Sequence, residues 1–178
     1  DSLEESGERA DFKIRTLERK DKQRAKLQVW DWHPTSMSQR APYAKNCAFI
    51  LICFRLDGQR SFNNVNSWLK NCEQNYPLET QIILVGTKSD LPDKVVSQDS
   101  IAAFCSSHRL EEGRKPLLYF ETSAKDNKGV NELFEAIAKI GVEQADTIRS
   151  VIATKANFFN NKNIETVTNK PSSGCIIT

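Results

Sequence analysis

The feature that most constrains this chain is an unbroken apolar run, Cys47 to Phe54, eight residues with no polar interruption. A strand with one wet face alternates apolar and polar residues, whereas a strand that is apolar throughout is buried on both faces of a parallel sheet covered by helices. The run is also far short of the roughly 20 residues that cross a bilayer. Gln81 to Gly86 (Q-I-I-L-V-G) and Leu117-Leu118-Tyr119-Phe120 read as two further strands of this kind. Helical spacing separates them: Phe62, Val65, Trp68 and Leu69 recur on one face with Ser61 as the expected N-cap. Ile101, Ala102, Phe104 and Cys105 mark a second helix, expected to end near Gly113, and Leu133, Phe134 and Ile137 mark a third over about 130–140. Strands alternating with helices imply right-handed parallel crossovers, and so an α/β fold with a doubly wound, mostly parallel sheet.

Upstream of the long run, Phe12, Ile14 and Thr16 alternate with Lys13 and Arg15, and Lys26 to Trp30 repeats the pattern with Leu27 and Val29. With the charged Lys20-Asp21-Lys22-Gln23 between them, the two segments predict an N-terminal antiparallel hairpin. Trp32 to Pro42 has no periodicity and reads as an irregular loop. After Gly141 the apolar pattern thins, and 157–178 is rich in Asn, Thr and Ser, which predicts a flexible tail. The organisation expected is one domain over 1–143 and a tail over 144–178. The opening Asp1-Ser2-Leu3-Glu4-Glu5 has neither a secretory-signal layout nor an initiator Met, so further residues upstream are expected.

With 25 Lys plus Arg against 23 Asp plus Glu, the net charge of +2 gives no concentrated basic surface, and nucleic acid is not an expected partner. Five cysteines, at 47, 53, 72, 105 and 175, include no C-x-x-C pair and point to a reducing compartment. The first four read as small buried hydrophobes. His33 and His108 lie at no ligand spacing, so no metal motif is expected.

In open parallel sheets, ligands bind beyond the carboxyl ends of the strands. Two such loops carry matching signals, Thr87-Lys88-Ser89-Asp90 and Thr122-Ser123-Ala124-Lys125. A carboxylate at Asp90 can accept two hydrogen bonds from the N1 and N2 edge of guanine, whereas adenine offers an acceptor at N1 and no 2-amino group. The Lys88 stem can lie along one base face, the Ala124 backbone N–H can donate to O6, and Lys125 can cover the other face. Either tetrapeptide alone could be a polar turn or a helix start capped by Ser123. Both in this order, each after a buried strand, select guanine.

From about Asp11 to Ile140 the sequence resembles the Ras-like small GTPases, and within them most closely the Rab family. The residues that carry the resemblance are Asp11 to Thr16 (D-F-K-I-R-T), Leu27-Gln28-Val29-Trp30-Asp31, Ser61 to Val65 with Trp68-Leu69, Val85 to Leu91, and Phe120 to Lys125. The resemblance implies a G-domain fold, a switch that binds GTP and GDP with magnesium, and a role in vesicle trafficking at the cytoplasmic face of an intracellular membrane, cycling with the cytosol. It implies effectors, exchange factors and prenyl-binding escort proteins as partners. Asp31 matches the magnesium region, and Phe12, Trp30 and Tyr43 match an aromatic triad that contacts effectors, although aromatics on a hairpin face usually pack against a core.

Several departures from the family pattern bear on mechanism. No G-x-x-x-x-G-K-[ST] stands before the hairpin; Gly7 is the only glycine there and falls at about the place of a magnesium-binding Thr. Where the family has W-D-T-A-G-Q-E, this chain has Trp30-Asp31-Trp32-His33-Pro34-Thr35-Ser36. Pro34 has no N–H to give a γ-phosphate, and Thr35 is too short to orient an attacking water. These changes predict weak nucleotide binding and defective hydrolysis; the alternative is a pseudo-GTPase that binds effectors without a nucleotide cycle. In the family fold a first strand lies between the hairpin and Ala48–Phe54. The sheet is therefore expected to be incomplete at its N-terminus, with a central gap met by a shifted hairpin, a partner or, the preferred reading, a longer natural chain. Finally, Cys175-Ile176-Ile177-Thr178 fits the C-a-a-X prenylation signal. With four basic and three acidic residues over 142–178 and no second cysteine in that stretch, a single lipid predicts weak, reversible membrane attachment.

Overall fold

The computed structural model describes residues 11–18, 24–31, 47–108, 112–160 and 175–177. Strands β1 (Asp11–Glu18) and β2 (Arg24–Asp31) form the expected antiparallel hairpin, in a register that sets Phe12 opposite Trp30 and Ile14 opposite Gln28. The long apolar run becomes β3 (Cys47–Arg55), followed by helices α1 (Gln59–Asn63) and α2 (Val65–Asn75). Then come β4 (Gln81–Thr87), α3 (Gln98–Ser107), β5 (Leu118–Glu121), α4 (Val130–Asn160) and β6 (Cys175–Ile177). One six-stranded sheet has the order β1-β2-β6-β3-β4-β5, parallel everywhere except the hairpin.

Alternation along β3 accounts for its composition. Ile50, Ile52 and Phe54 face one layer, where Leu56, Phe62, Val65, Leu69, Cys72, Ile82, Leu84, Val96 and Ile101 complete a core against α1, α2 and α3. Phe49 and Leu51 face the other, where Leu27, Ile83 and Val85 pack with Leu133 and Ile137 of α4. Both faces of β3 and β4 are thus covered, as an unbroken apolar run requires.

The structure differs from the sequence reading at five points. Ser61 is not an N-cap: α1 starts after Gly58, and Ser61 lies inside it, where its Oγ accepts from Arg55 N at 2.9 Å and donates to Gly58 O at 2.7 Å. The second helix, α3, ends at Ser107 rather than near Gly113, with its N-cap at Ser97, whose Oγ accepts from Ser100 N. Cys53 is exposed on β3, unlike the buried Cys47 and Cys72. The last helix continues to Asn160, into the stretch read as tail. The slot between hairpin and β3 is filled from within the chain: β6 pairs with β2 on one edge and β3 on the other.

Candidate functional site at the carboxyl ends of β4 and β5

The two motif loops leave adjacent parallel strands, which puts their first residues side by side. Backbone bonds stitch them together: Thr122 N donates to Gly86 O at 2.8 Å, and Ser89 N donates to Thr122 O at 3.0 Å. Ser123 is completely buried, and its Oγ donates to Asp90 Oδ1 at 2.7 Å while accepting from Asp126 N at 3.1 Å. The hydroxyl therefore closes a turn of its own loop and ties that loop to the carboxylate of the other. The Ser123 bond is the largest influence holding the Asp90 carboxyl below the usual carboxylate range, opposed by partial desolvation and helped by the charges of Lys125 and Lys88. An ionised carboxylate has about four lone-pair positions, so the bonds from Ser123 and from the Asp90 backbone leave capacity for a two-donor edge.

Lys88 adopts a left-handed backbone conformation, φ 62°, which costs a non-glycine residue about 1–2 kcal/mol. Strain of this kind persists only where neighbours over-determine it. Here Leu91 N bonds to Lys88 O at 3.2 Å, and Lys88 Nζ lies 3.5 Å from Asp57 Oδ2. Asp57 follows β3 and is gripped by Arg55 through Nε to Oδ1 at 2.9 Å and through its terminal nitrogen to Oδ2 at 2.6 Å. That bond, ahead of the charges of Arg55 and Lys88, brings the Asp57 carboxyl down to about 2 despite partial desolvation. Three consecutive strand ends are thereby joined.

The far side of the loop is held by backbone. Ser123 and Lys128 exchange bonds at 2.8 and 3.0 Å, and Asn127 and Gly129 take φ values of 51° and 73°. A Cβ at Gly129 would fall 2.0 Å from Glu121 O, so only glycine fits where the chain turns from the loop into α4. Glu121 itself accepts from Tyr119 Oη at 2.9 Å, bonds Gln98, and pairs with Lys94 at 3.4 Å. Burial, aided by that bond to Glu121, pushes the Tyr119 phenol well above its ordinary range.

Of the residues singled out from sequence, Thr87, Lys88, Asp90, Ser123, Ala124 and Lys125 come together here, with Ala124 and Lys125 exposed on the loop. Thr87 turns inward, its Oγ1 donating to Phe54 O at 3.0 Å. Asp31 stands elsewhere, exposed at the end of β2. Phe12 and Trp30 are register partners on the hairpin, while Tyr43, Gly7, His33, Pro34 and Thr35 lie outside the described residues. Arg55, Asp57 and Glu121 were missed by sequence reasoning; the available signal was an opposite-charge pair two residues apart where a buried strand ends.

The chain matches the family model described as Ras family over residues 4–143. This chain belongs to the Ras family of small GTPases. Its curated relatives are Rab proteins: Ras-related protein RabK1 of Dictyostelium discoideum is 31% identical over 130 residues, 70% of this chain and 61% of that protein. Ras-related protein RABE1e of Arabidopsis thaliana is 35% identical over 72% of this chain and 57% of the relative. Ras-related protein SEC4 of Saccharomyces cerevisiae is 31% identical over 79% and 63% respectively. The chain thus spans about three fifths of the length of the relatives it matches. As a Rab-type Ras-family chain it has the expected α/β G-domain class, with the parallel sheet, flanking helices and antiparallel hairpin seen here.

The loop residues offer what a guanine edge would need, a carboxylate acceptor oriented by Ser123 beside two lysines. For magnesium the described residues offer Asp31, and no group of three His, Cys, Asp or Glu side chains gathers among them. A nucleotide-borne magnesium takes only one or two protein carboxylates, the rest being phosphate and water.

Proposed function

We propose that this chain is a Rab-like guanine-nucleotide-binding switch of vesicle trafficking, attached to the cytoplasmic face of an intracellular membrane by a lipid on Cys175. The observation that carries the nucleotide reading is the 2.7 Å bond from Ser123 Oγ to Asp90 Oδ1, which fixes the carboxylate between the two motif loops. Asp90 recognises the N1 and N2 edge of guanine, the Ala124 N–H meets O6, Lys88 and Lys125 flank the base, and Thr87 anchors its loop to β3. Asp31 would hold a nucleotide-borne magnesium, which would supply charge neutralisation at the phosphates. Hydrolysis is defective, because Pro34 and Thr35 stand where the family has Gly and Gln.

Partner binding uses the hairpin. Phe12, Trp30 and Tyr43 form the effector surface, and Ile14, 52% exposed on the outer strand, extends it. Exchange factors and prenyl-binding escort proteins are further partners. At Cys175 the thiolate attacks C1 of a prenyl diphosphate held by a transferase; the C–S bond forms as the C–O bond breaks, diphosphate leaves, and the thiol proton passes to solvent. Among the described residues no helix is long and apolar enough to cross a membrane, and a single lipid gives reversible attachment.

Pro34 and Thr35 favour a second reading, an effector-binding pseudo-GTPase with no nucleotide cycle. Calorimetric titration of the purified chain with GDP and GTP in magnesium separates the two. Measurable binding that Asp90→Ala abolishes supports the switch; absence of binding by a folded chain supports the pseudo-GTPase. Binding unaffected by Asp90→Ala would sink the assignment of the base site.

A further inference from the structure

Lys88 stands between two carboxylates. Its backbone is fixed: Leu91 N donates to Lys88 O at 3.2 Å, Ser89 N donates to Thr122 O at 3.0 Å, and φ at Lys88 is 62°. Its side chain is a flexible four-carbon stem ending in a compact cation, so the nearest anion decides where the ammonium goes. Asp90 is one such anion, two residues on. Two peptide units put the Cα atoms of Lys88 and Asp90 less than about 7.6 Å apart, within the combined reach of the two side chains. The Lys88 charge, with that of Lys125, already acts on the Asp90 carboxyl. An ammonium bonded to Asp90 would occupy an acceptor position and set its own hydrogens against the donors of a guanine edge.

The ammonium is turned the other way, 3.5 Å from Asp57 Oδ2. Asp57 belongs to the loop after β3, which is tied to β4: Arg55 is the register partner of Thr87, and Leu56 N donates to Thr87 O at 3.1 Å. Arg55 donates to both Asp57 oxygens, and Asp57 is the more buried member of the pair with Lys88. The carboxylate is therefore the fixed partner and the ammonium the movable one. Because Arg55 shares the same carboxylate, the hold on Lys88 is modest, of the size of a partly exposed ion pair.

We propose that Asp57 is a positioning residue of the base site: by holding the Lys88 ammonium at the end of β3 it keeps that ammonium off Asp90 and leaves the Asp90 acceptor edge open. The consequence for the base rests on the guanine reading of Asp90 in the proposed function; the division of Lys88 between the two carboxylates does not.

The test compares the purified chain with Asp57→Asn, which keeps the side-chain shape and removes its charge. The same pair is made in a Lys88→Met background, which removes the ammonium at similar length. At neutral pH and without nucleotide, proton–proton NOEs locate the end of the Lys88 stem. The parent is expected to show Lys88 Hε against Asp57 Hβ, and Asp57→Asn to show Lys88 Hε against Asp90 Hβ. Calorimetry with GDP in magnesium is expected to find Asp57→Asn binding about two- to fivefold more weakly than the parent, with no further weakening by Asp57→Asn in the Lys88→Met background. A Lys88 stem that makes no new contact with Asp90 in a folded Asp57→Asn chain overturns the holding. Unchanged GDP affinity, or equal weakening in both backgrounds, overturns the role at the base site. A parent chain that binds no GDP overturns the guanine reading and that role with it, while the NOEs still decide which carboxylate holds Lys88.

Discussion

Gly129 joins the loop after β5 to α4, and replacing it with alanine separates two energies that are usually mixed. The first is the left-handed backbone: at φ 73° an L side chain costs about 1–2 kcal/mol. The second is overlap, because the new Cβ would fall 2.0 Å from Glu121 O, 3.1 Å from Glu121 C and 3.4 Å from Thr122 Cα. These are backbone atoms at the end of β5, so no side-chain rotation relieves the contact. The start of α4 has to move, at the expense of the Leu133 N to Gly129 O bond of 3.1 Å or the Ser123–Lys128 exchange. One or two such bonds contribute about 1 kcal/mol each, which brings the total for Gly129→Ala to about 2–4 kcal/mol. Gly113→Ala is the matched control. Its φ is also positive, 89°, but among the described residues the added Cβ would meet only Leu78 Cδ1 at 3.8 Å, ordinary contact, so the backbone cost of about 1–2 kcal/mol dominates. Urea unfolding of both variants reads the difference: with a slope near 2 kcal/mol/M, Gly129→Ala lowers the midpoint by about 1–2 M and Gly113→Ala by about half as much or less. Equal shifts at unchanged slope would refute the steric argument and the close approach of α4 to β5.

Three further outcomes follow from the same geometry. Because the Asp57 carboxyl falls to about 2 in the folded chain and is ordinary in the unfolded one, its stabilising contribution is complete above about pH 4 and lost as pH falls through about 2. Urea midpoints from pH 6 to 2 should show a decline over that window that is shallower in Asp57→Asn; identical profiles would mean that the Arg55 grip is absent in solution. Ile137, fully buried on the inner face of α4 against Phe49, Leu51, Ile83 and Val85, should cost about 2–5 kcal/mol as Ile137→Ala by the same unfolding measurement. Ser123→Ala removes the hydroxyl that orients Asp90, and calorimetry should register weaker guanine-nucleotide binding than the parent chain shows; unchanged affinity would place Asp90's orientation elsewhere.

The parts of this fold that are legible in sequence are those where one physical requirement dominates. Cys47 to Phe54 has to be a doubly covered strand because nothing polar interrupts it, and the hairpin alternates because one of its faces is wet. The pair of loops after β4 and β5 is readable because parallel neighbours bring Asp90 and Ser123 together whatever happens in between. Ser61 misled because serine at a helix start can cap, yet Gly58 begins α1 earlier and the hydroxyl bridges Arg55 N and Gly58 O instead. Cys175–Ile177 was opaque for a different reason. Three residues carry no period, and their strand state comes from the edges of β2 and β3, partners over a hundred residues away in sequence.

The loops after β4 and β5 and the hairpin sit at different places in one sheet, and that separation bears on how each responds to substitution. Asp90, Ser123 and Lys88 are fixed by bonds among the ends of β3, β4 and β5, none of which involves β1, β2 or β6. A perturbation of the hairpin therefore reaches Asp90 only through the sheet itself and not through a shared side-chain bond, so substitutions on β1 or β2, the strand that carries Trp30 and Asp31, should leave the Ser123–Asp90 bond in place.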